Sequence, residues 1–206
     1  CTAEVIESPL SPIQKELLKK TSMPQMVYDC PSYFDETIVM DRNNTPKLGS
    51  LLDLINKDFK NEKTILVYSR YKESQRGIME ALLNEGISCE IMNGDTDIDE
   101  KNKIISQFKM GDFRVLITNV QKGLNFGDCN VCIFYSYDPN TNKMVQFEGR
   151  TTRSVDIVGK HSRVLVSSGK ERNRFDKGLA DRAKGSDAFA VSDYSCVLML
   201  LLDKDK

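Results

Sequence analysis

The chain has 206 residues, of which 40% are hydrophobic and 29% are charged, and its formal net charge is −1 at pH 7. This composition is typical of a globular protein that can bury a core. A sequence pI of about 6.0 excludes a protein that binds nucleic acid through a global positive field, so any such contact must come from a local patch. The longest strongly apolar run, residues 197–202, is too short to span a bilayer, and we expect no membrane partner.

The first 45 residues predict a helical extension. Ser11 is a suitable N-cap for a short helix with Pro12 in its first turn. The polar, proline-containing residues 19–35 favour a connector, and residues 36–40 are a candidate for a short strand.

A regular alternation of helices and strands begins at Pro46, where apolar residues take helical spacing. The first of the strands that follow, residues 64–68, reads as a continuous apolar run, which is typical of a strand buried on both faces. These predicted strands cover residues 64–68, 87–92, 114–118, 131–135 and 163–166. Helices are expected between them and, after the last strand, near residues 170–183 and 191–203.

This alternation predicts an α/β fold, in which helices cover a parallel sheet and right-handed crossovers join the strands. We expect the domain to cover residues 46–206, with residues 1–45 as a connector or extension. Ligands of such sheets bind at the carboxyl ends of the strands. The polar residues that follow three strands are therefore candidates for a binding site: Ser69, Arg70, Asn93, Gly94, Thr118 and Asn119.

Cysteine and histidine usage indicates no metal site. Six cysteines are scattered through mostly apolar surroundings, which is typical of reduced residues in a cytosolic protein. Cys129 and Cys132 form one Cys-x-x-Cys pair, but no second pair follows, and His161 is the only histidine. A structural zinc ion needs four such ligands.

The most specific chemistry lies in the stretch Gln-Phe-Glu-Gly-Arg-Thr-Thr-Arg at residues 146–153. Wound as a helix, Gln146, Gly149, Arg150 and Arg153 would share one face. Two guanidiniums one turn apart can grip the oxygens of a phosphate chain. Gly149 costs a helix about 1 kcal/mol relative to alanine, which suggests a close approach to its backbone. The alternative interpretation is a solvated basic helix end.

This stretch is similar to motif VI of superfamily 2 helicases and translocases, which carries their arginine finger. Other segments resemble the same family in the expected order: residues 65–69 resemble motif IV, and residues 115–119 through 123–126 resemble motif V. From about residue 46 to residue 168, the chain therefore resembles the second RecA-like domain of these ATPases.

Within the superfamily, three segments look most like the Swi/Snf-type branch, which translocates on duplex DNA. They are residues 10–14, the Gly-Leu-Asn-Phe at 123–126 and the Tyr-Asp-Pro-Asn at 137–140. Two features depart from the usual pattern of this branch, although they do not affect the resemblance to the domain. The sequence after Arg153 does not continue as x-Gly-Gln, and the usual Gly-Gly before Gly123 is missing. A compact viral or bacterial member would fit them.

The resemblance implies roles for individual residues. Arg153 would act on the γ-phosphate of ATP, with Arg150 supporting it and Gln146 orienting both. Gly123 and Asn125 would couple the nucleotide to nucleic acid, and Gly149 would lie beside the nucleotide. The phosphates of nucleic acid would be contacted by the strand ends, namely Ser69, Arg70, Asn93, Gly94, Thr118 and Asn119. For the hydroxyls among these, the alternative is ordinary strand capping.

The sequence holds the arginine half of an ATP site without the phosphate-binding half. Phosphoryl transfer needs a cradle of backbone amides, a lysine and ligands for Mg²⁺, which a Gly-x-x-x-x-Gly-Lys-Ser/Thr loop and an acidic box supply. Gly159-Lys160 and Gly169-Lys170 both lack the upstream glycine. We therefore expect ATP with Mg²⁺ to be bound mainly by an N-terminal RecA-like lobe of the same parent chain, and this chain alone to be inactive.

Together these features predict the second lobe of an ATP-dependent motor that acts on DNA, with double-stranded DNA favoured, in a bacterial or phage-infected cytoplasm or at the nucleoid. Two alternatives stay open. A small-molecule α/β enzyme would need a glycine-rich first turn, which Tyr68-Ser69-Arg70-Tyr71 lacks. A degenerate lobe that serves as an interaction module would more readily have lost Arg150 and Arg153.

Overall fold

A parallel sheet forms the centre of the fold. The computed structural model describes residues 2–120, 125–126, 128–151 and 159–184. Within these ranges six strands pair in the order β1-β6-β5-β2-β4-β3, and every pairing is parallel. The strands are β1 (Thr2–Ser8), β2 (Ile65–Tyr68), β3 (Cys89–Met92), β4 (Val115–Thr118), β5 (Val131–Phe134) and β6 (His161–Ser167). The predicted α/β fold is confirmed.

Helices cover both faces of this sheet. They are α1 (Pro12–Lys20), α2 (Pro24–Asp29), α3 (Pro46–Asp53), α4 (Lys72–Asn84), α5 (Ile98–Met110), α6 (Thr141–Glu148) and α7 (Lys170–Lys184). One buried cluster contains apolar residues of α3 and α4, and a second contains those of α5, α6 and α7. The helix predicted near residues 170–183 is confirmed as α7, whereas the one predicted near 191–203 lies outside the described residues.

The central strand β2 shows why the buried strands read as continuous apolar runs. Ile65 and Val67 belong to the cluster under α3 and α4, whereas Leu66 and Tyr68 belong to the opposite cluster. Successive side chains of a strand point to opposite faces, and here both faces are covered by helices. All four residues are therefore buried, as in other doubly covered parallel sheets.

Local capping sets the helix boundaries. The predicted N-cap Ser11 forms a capping box, because its hydroxyl accepts from the Gln14 amide at 3.2 Å and its own amide donates to Gln14 Oε1 at 3.0 Å. Asp97 Oδ1 accepts from the amides of Asp99 and Glu100 at the start of α5. Gly111 ends that helix with φ +80°, a left-handed conformation that favours glycine.

The N-terminal region differs most from the sequence-based expectation. The strand predicted at residues 36–40 is wrong, because Asp35 Oδ1 accepts from both the amide and the hydroxyl of Thr37 and closes a turn there. The connector predicted at residues 19–35 contains the buried helix α2. Strand β1, which the sequence pattern did not reveal, pairs with β6 along its whole length.

Candidate nucleotide and nucleic-acid interface

All six strands end at the same side of the sheet, which we call the carboxyl edge. Arg70 follows the central strand β2 at this edge, and its side chain is exposed. Its guanidinium lies 5.4 Å from the centroid of the Tyr71 ring, a cation–π contact. Its backbone amide donates to Ser136 Oγ at 3.0 Å, beyond the end of β5. The described structure therefore presents a cation at the middle of the carboxyl edge on a backbone that is hydrogen-bonded to the neighbouring strand.

Hydrogen bonds join the strand ends that the sequence analysis singled out. Asn119 Nδ2 donates to the carbonyl oxygen of Arg70 at 3.2 Å. Gln75 Nε2 donates to the carbonyl oxygen of Ser69 at 2.8 Å, and Asn93 Nδ2 reaches Gln75 Oε1 at 3.5 Å. The ends of β2, β3 and β4 are thus joined by one hydrogen-bonded network, which runs through the buried Gln75. Sequence reasoning missed Gln75, whose only signal is its position one turn into the helix that follows β2.

Ser69 and Thr118 do not reach solvent. Both side chains are 0% exposed. The Ser69 hydroxyl pairs with Ser74 Oγ at 2.6 Å, and Thr118 Oγ1 accepts from the Val120 amide at 3.0 Å. In this structure the prediction that these hydroxyls touch phosphates is therefore not met, and strand capping, the alternative interpretation, describes them. A ligand at this edge would therefore contact the exposed neighbours of Ser69 and Thr118.

The turn after β3 is exposed and carries charges of both signs. An added Cβ on Gly94 would meet no atom within 4 Å, so packing does not require a glycine there. Asp95 forms an ion pair with Lys72, and this hydrogen bond lowers the pKa of the Asp95 carboxyl. Lys101 Nζ donates to the Gly94 carbonyl oxygen at 3.4 Å. The turn is therefore held by two lysines, whose charge Asp95 partly compensates.

The segment that resembles motif VI is not one continuous helix. Gln146 is exposed on α6, but this helix ends at Glu148 and Gly149 is its C-cap. The Thr151 amide and hydroxyl both donate to the Glu148 carbonyl oxygen, at 2.8 and 2.7 Å. This bonding occupies the acceptor that a further helical turn would use. The predicted helical alignment of Gln146 is therefore kept as far as Gly149, whose amide still donates to the Val145 carbonyl oxygen at 2.9 Å. At Arg150 and Thr151 the backbone tightens into a turn, and the predicted face does not continue there as an α-helix.

Gly149 ends α6 with an ordinary helical φ of −58°, so its conformation does not require a glycine. A Cβ at Gly149 would lie 3.3 Å from the Val145 carbonyl oxygen, so the crowding that we find comes from the helix itself. Arg150 is half-buried in the turn. Arg153 lies outside the described residues, and its position stays a prediction.

A backbone hydrogen bond joins the segments that resemble motifs V and VI. The Phe126 amide donates to the Arg150 carbonyl oxygen at 2.7 Å. Phe126 is buried and meets the Phe108 ring edge-to-face at 5.7 Å between centroids. Its neighbour Asn125 is exposed, whereas Gly123 lies outside the described residues. The two segments are thus anchored to each other at their backbones.

A buried ion cluster, which sequence reasoning missed, lies beneath the carboxyl edge. It consists of Asp29, Lys47 and Glu171, all with side chains 0% exposed. Lys47 Nζ lies 2.8 Å from Asp29 Oδ1 and 2.7 Å from Glu171 Oε1. Gln25 Nε2 donates to both carboxylates, at 3.2 and 2.8 Å. A lysine among the leucines of an amphipathic helix was the only sequence signal.

Charge–charge interactions in this cluster oppose the cost of burial. Burial disfavours the Lys47 ammonium, but Asp29 and Glu171 outweigh that effect and raise its pKa above the ordinary value. Burial raises the pKa of Asp29; the charge of Lys47 opposes this rise, and that of Glu171 adds to it. The single ammonium therefore holds two carboxylates that would otherwise be costly to bury.

The described residues fit only part of a nucleotide site. The motif-like turn offers the guanidinium of Arg150, but the sequence has no loop of the type that cradles phosphates. In the part of the chain that the structure describes, no group of three His, Cys, Asp or Glu side chains could hold a metal ion. Across the same residues, no helix is long and apolar enough to cross a membrane.

Comparisons with curated proteins find helicases that act on either nucleic acid. The chain is 31% identical over 119 residues to the DEAD-box ATP-dependent RNA helicase 5 of Oryza sativa subsp. japonica, which covers 57% of this chain and 23% of that protein. It is 28% identical over 145 residues to the ATP-dependent DNA helicase MPH1 of Eremothecium gossypii, which covers 69% of this chain and 13% of that protein. The chain thus spans about a quarter or less of the length of these relatives.

Solved structures share the fold over almost the whole chain. The C-terminal domain of the Sulfolobus solfataricus SWI2/SNF2 ATPase matches 98% of this chain and 95% of its own, with a TM-score of 0.68 and 14% identity. The core of that ATPase in complex with dsDNA matches 98% of this chain and 48% of its own, with a TM-score of 0.70 and 15% identity. These likenesses confirm the predicted RecA-like fold.

A family model described as "Helicase conserved C-terminal domain" matches residues 46–155. The match contains the ends of β2, β3 and β4 and the turn with Arg150, that is, the carboxyl edge described above. Because it covers 110 of the 206 residues, the chain belongs to the helicase conserved C-terminal domain family, as the resemblance of its motifs to superfamily 2 helicases predicted.

Proposed function

We propose that the chain is the second motor lobe of an ATP-dependent translocase or helicase that acts on double-stranded DNA. The observation that carries the proposal is the 2.7 Å hydrogen bond from the Phe126 amide to the Arg150 carbonyl oxygen. It ties the segment that resembles a nucleic-acid-coupling motif to the segment that resembles a nucleotide-sensing motif. A shift of either segment is then passed to the other through the backbone.

On the nucleotide side, the two arginines would stabilise negative charge on the phosphates of ATP. Arg150, and Arg153 beyond the described residues, would place positive charge against the γ-phosphate of ATP, where negative charge changes most during phosphoryl transfer. The backbone-amide cradle and the ligands of Mg²⁺ would come from an N-terminal RecA-like lobe. Gln146, exposed on α6, would face the same region.

On the nucleic-acid side, the exposed residues of the carboxyl edge would contact the phosphates of the backbone. Arg70 supplies the charge, and Asn93, Gly94 and Asn119 supply polar groups beside it. Contacts of this kind hold a protein on the phosphate backbone without reading sequence. A motor that moves along its track needs such sequence-independent contacts.

The likeness to the SWI2/SNF2 domain supports duplex DNA as the track. It extends over 98% of the chain, and the core of the same ATPase is also solved in complex with dsDNA. Among the sequence matches, the one to the DNA helicase MPH1 covers 69% of the chain and the one to the rice RNA helicase covers 57%. The structural likeness therefore takes in the N-terminal elements β1, α1 and α2. Strand β1 pairs with β6, Gln14 of α1 donates to the Val27 carbonyl oxygen of α2, and Asp29 of α2 belongs to the buried ion cluster. RNA is the alternative track, and the same experiment tests it.

Fluorescence anisotropy with a labelled 20-base-pair DNA duplex and an RNA duplex of the same sequence tests the proposal. We expect the chain to prefer the DNA duplex, and Arg70→Ala to weaken binding about tenfold and to reduce the slope of log K against log salt by about 1. Lys60→Ala, an exposed lysine in the loop that precedes β2, serves as the control and should change neither. Tighter binding of RNA would overturn the choice of DNA, and unchanged binding by Arg70→Ala would overturn the interface.

A further inference from the structure

The buried ion cluster is connected to the exposed Arg70 by a single side chain. Ser136 is 0% exposed, and its hydroxyl lies 2.9 Å from Asp29 Oδ2 on one side. On its other side it accepts from the Arg70 amide at 3.0 Å. Helix α2, which ends at Asp29, is therefore linked to the loop after β2 through two consecutive hydrogen bonds.

We propose that Asp29, acting through Ser136, is a positioning residue that fixes the backbone of Arg70 for phosphate binding. The inference rests on the proposed function, because it takes Arg70 to be a nucleic-acid contact. It adds that the N-terminal helix α2, which lies outside the residues matched by the family model, belongs to the binding machinery.

The direction of the two hydrogen bonds is set by chemistry. Both carboxyl oxygens of Asp29 already accept, Oδ1 from Lys47 and Oδ2 from Gln25, so the single proton of the Ser136 hydroxyl points to Asp29. The lone pairs of the same oxygen are then left for the Arg70 amide, which can only donate. An acceptor aimed at a backbone amide selects one orientation of that peptide, and the exposed guanidinium is attached to it.

Asp29 is itself held from several sides. Its Oδ1 meets Lys47 at 2.8 Å, and its Oδ2 also accepts from Gln25 at 3.2 Å. The Tyr135 hydroxyl donates to its carbonyl oxygen at 2.9 Å. Lys47 in turn meets Glu171 on α7. Three helices, α2, α3 and α7, thus fix the acceptor on which the orientation of Ser136 depends, and a fixed acceptor is what a positioning role requires.

Ser136→Ala tests this role, because it removes the relay and keeps the three members of the ion cluster. Ser8→Ala is the matched control: Ser8 is 1% exposed at the end of β1, and its hydroxyl pairs with Ser50 Oγ at 2.7 Å. Binding to the labelled 20-base-pair DNA duplex is measured at 10 °C, with circular dichroism to establish that each variant is folded. We expect Ser136→Ala to weaken binding about fivefold and Ser8→Ala to leave it unchanged.

A double-mutant cycle separates positioning from general destabilisation. If Ser136 acts through Arg70, then adding Ser136→Ala to Arg70→Ala weakens binding no further. A purely structural effect would weaken binding by the same factor in both backgrounds, and that result would overturn the inference.

The cycle also distinguishes this inference from the proposed function. If Arg70→Ala weakens binding and Ser136→Ala does not, the positioning role is overturned while the proposed interface stands. If Arg70→Ala binds like the wild type, the proposed interface fails and the positioning role fails with it. Asp29→Leu provides a second test, because it removes the acceptor and nearly keeps the side-chain volume; binding equal to the wild type in a variant that circular dichroism shows to be folded would again overturn the role of Asp29.

Discussion

Lys47→Met removes the one positive charge from the buried ion cluster and nearly preserves side-chain volume. Lys47 is 0% exposed and lies 2.8 and 2.7 Å from two carboxylates that are equally buried. Removing one partner from a buried ion pair costs about 3–5 kcal/mol, because the other charge is left without compensation. Since two carboxylates lose their partner here, we expect a loss near the upper end of this range.

Such a loss is a large fraction of the free energy of unfolding of a typical domain, which is about 5–15 kcal/mol. At about 2–4 °C per kcal/mol for a chain of this size, a loss of about 5 kcal/mol should lower the melting temperature by about 10–20 °C. Urea unfolding followed by circular dichroism measures the loss directly. Lys57→Met, which removes an exposed lysine paired with Asp53 at 3.2 Å, should leave the midpoint unchanged.

The loss should also depend on pH, with a definite sign. Burial raises the pKa of Asp29 even when Lys47 is present, so without Lys47 this carboxyl takes up a proton more readily in the folded chain than in the unfolded chain. The stability deficit of Lys47→Met should therefore be smaller at pH 5 than at pH 8. A deficit below about 1 kcal/mol, the range of exposed pairs, or one that grows as the pH falls, would refute this description of the cluster.

Three further predictions concern single residues. Burial raises the pKa of the Cys89 thiol from 9.0 to about 11, so at pH 8 its thiolate fraction is about 100-fold lower than in the unfolded chain. Peptide mapping after iodoacetamide treatment should therefore show that Cys89 is alkylated at least about 100-fold more slowly in the folded chain. Gly111→Ala should cost about 1–2 kcal/mol in urea unfolding because φ is +80°, whereas Gly94→Ala, which would meet no atom within 4 Å, should be neutral; equal effects would contradict this. Ser11→Ala should cost about 1 kcal/mol in the same assay through loss of its capping box, and an unchanged midpoint would contradict that role.

The sheet was predictable because its signals are local and repeated. The strands β2, β4 and β5 show continuous apolar runs, and Gly86 and Gly111 separate the helices α4 and α5 from the strands that follow them. Strand β1 escaped prediction because Thr-Ala-Glu-Val-Ile-Glu-Ser mixes polar and apolar residues. Its strand conformation depends on pairing with β6, some 159 residues further along the chain, and no local pattern encodes such a partner.

Site residues were predictable where residue type alone determines which contacts they can make. They were not predictable where burial and hydrogen bonding within the chain determine this. Arg70 and Asn119 are exposed or half-exposed polar residues at strand ends, as expected. Ser69 and Thr118 have the same polarity and occupy equivalent positions, but both are buried and hydrogen-bonded within the chain. The relay through Ser136 could not be foreseen, because it depends on a carboxylate 107 residues away.

The role of Arg153 is most directly tested by ATP turnover in a protein that joins this lobe to a phosphate-binding lobe. We predict that Arg153→Ala lowers the DNA-stimulated kcat by about 10³-fold and leaves the Kd for ATP and the melting temperature nearly unchanged, because such an arginine acts on charge that develops in the transition state. Arg153→Lys should restore little, since an ammonium cannot reproduce the planar guanidinium, and Lys60→Ala should retain full turnover. A kcat of Arg153→Ala close to that of the wild type would contradict the assignment of this chain as a motor lobe that supplies an arginine finger.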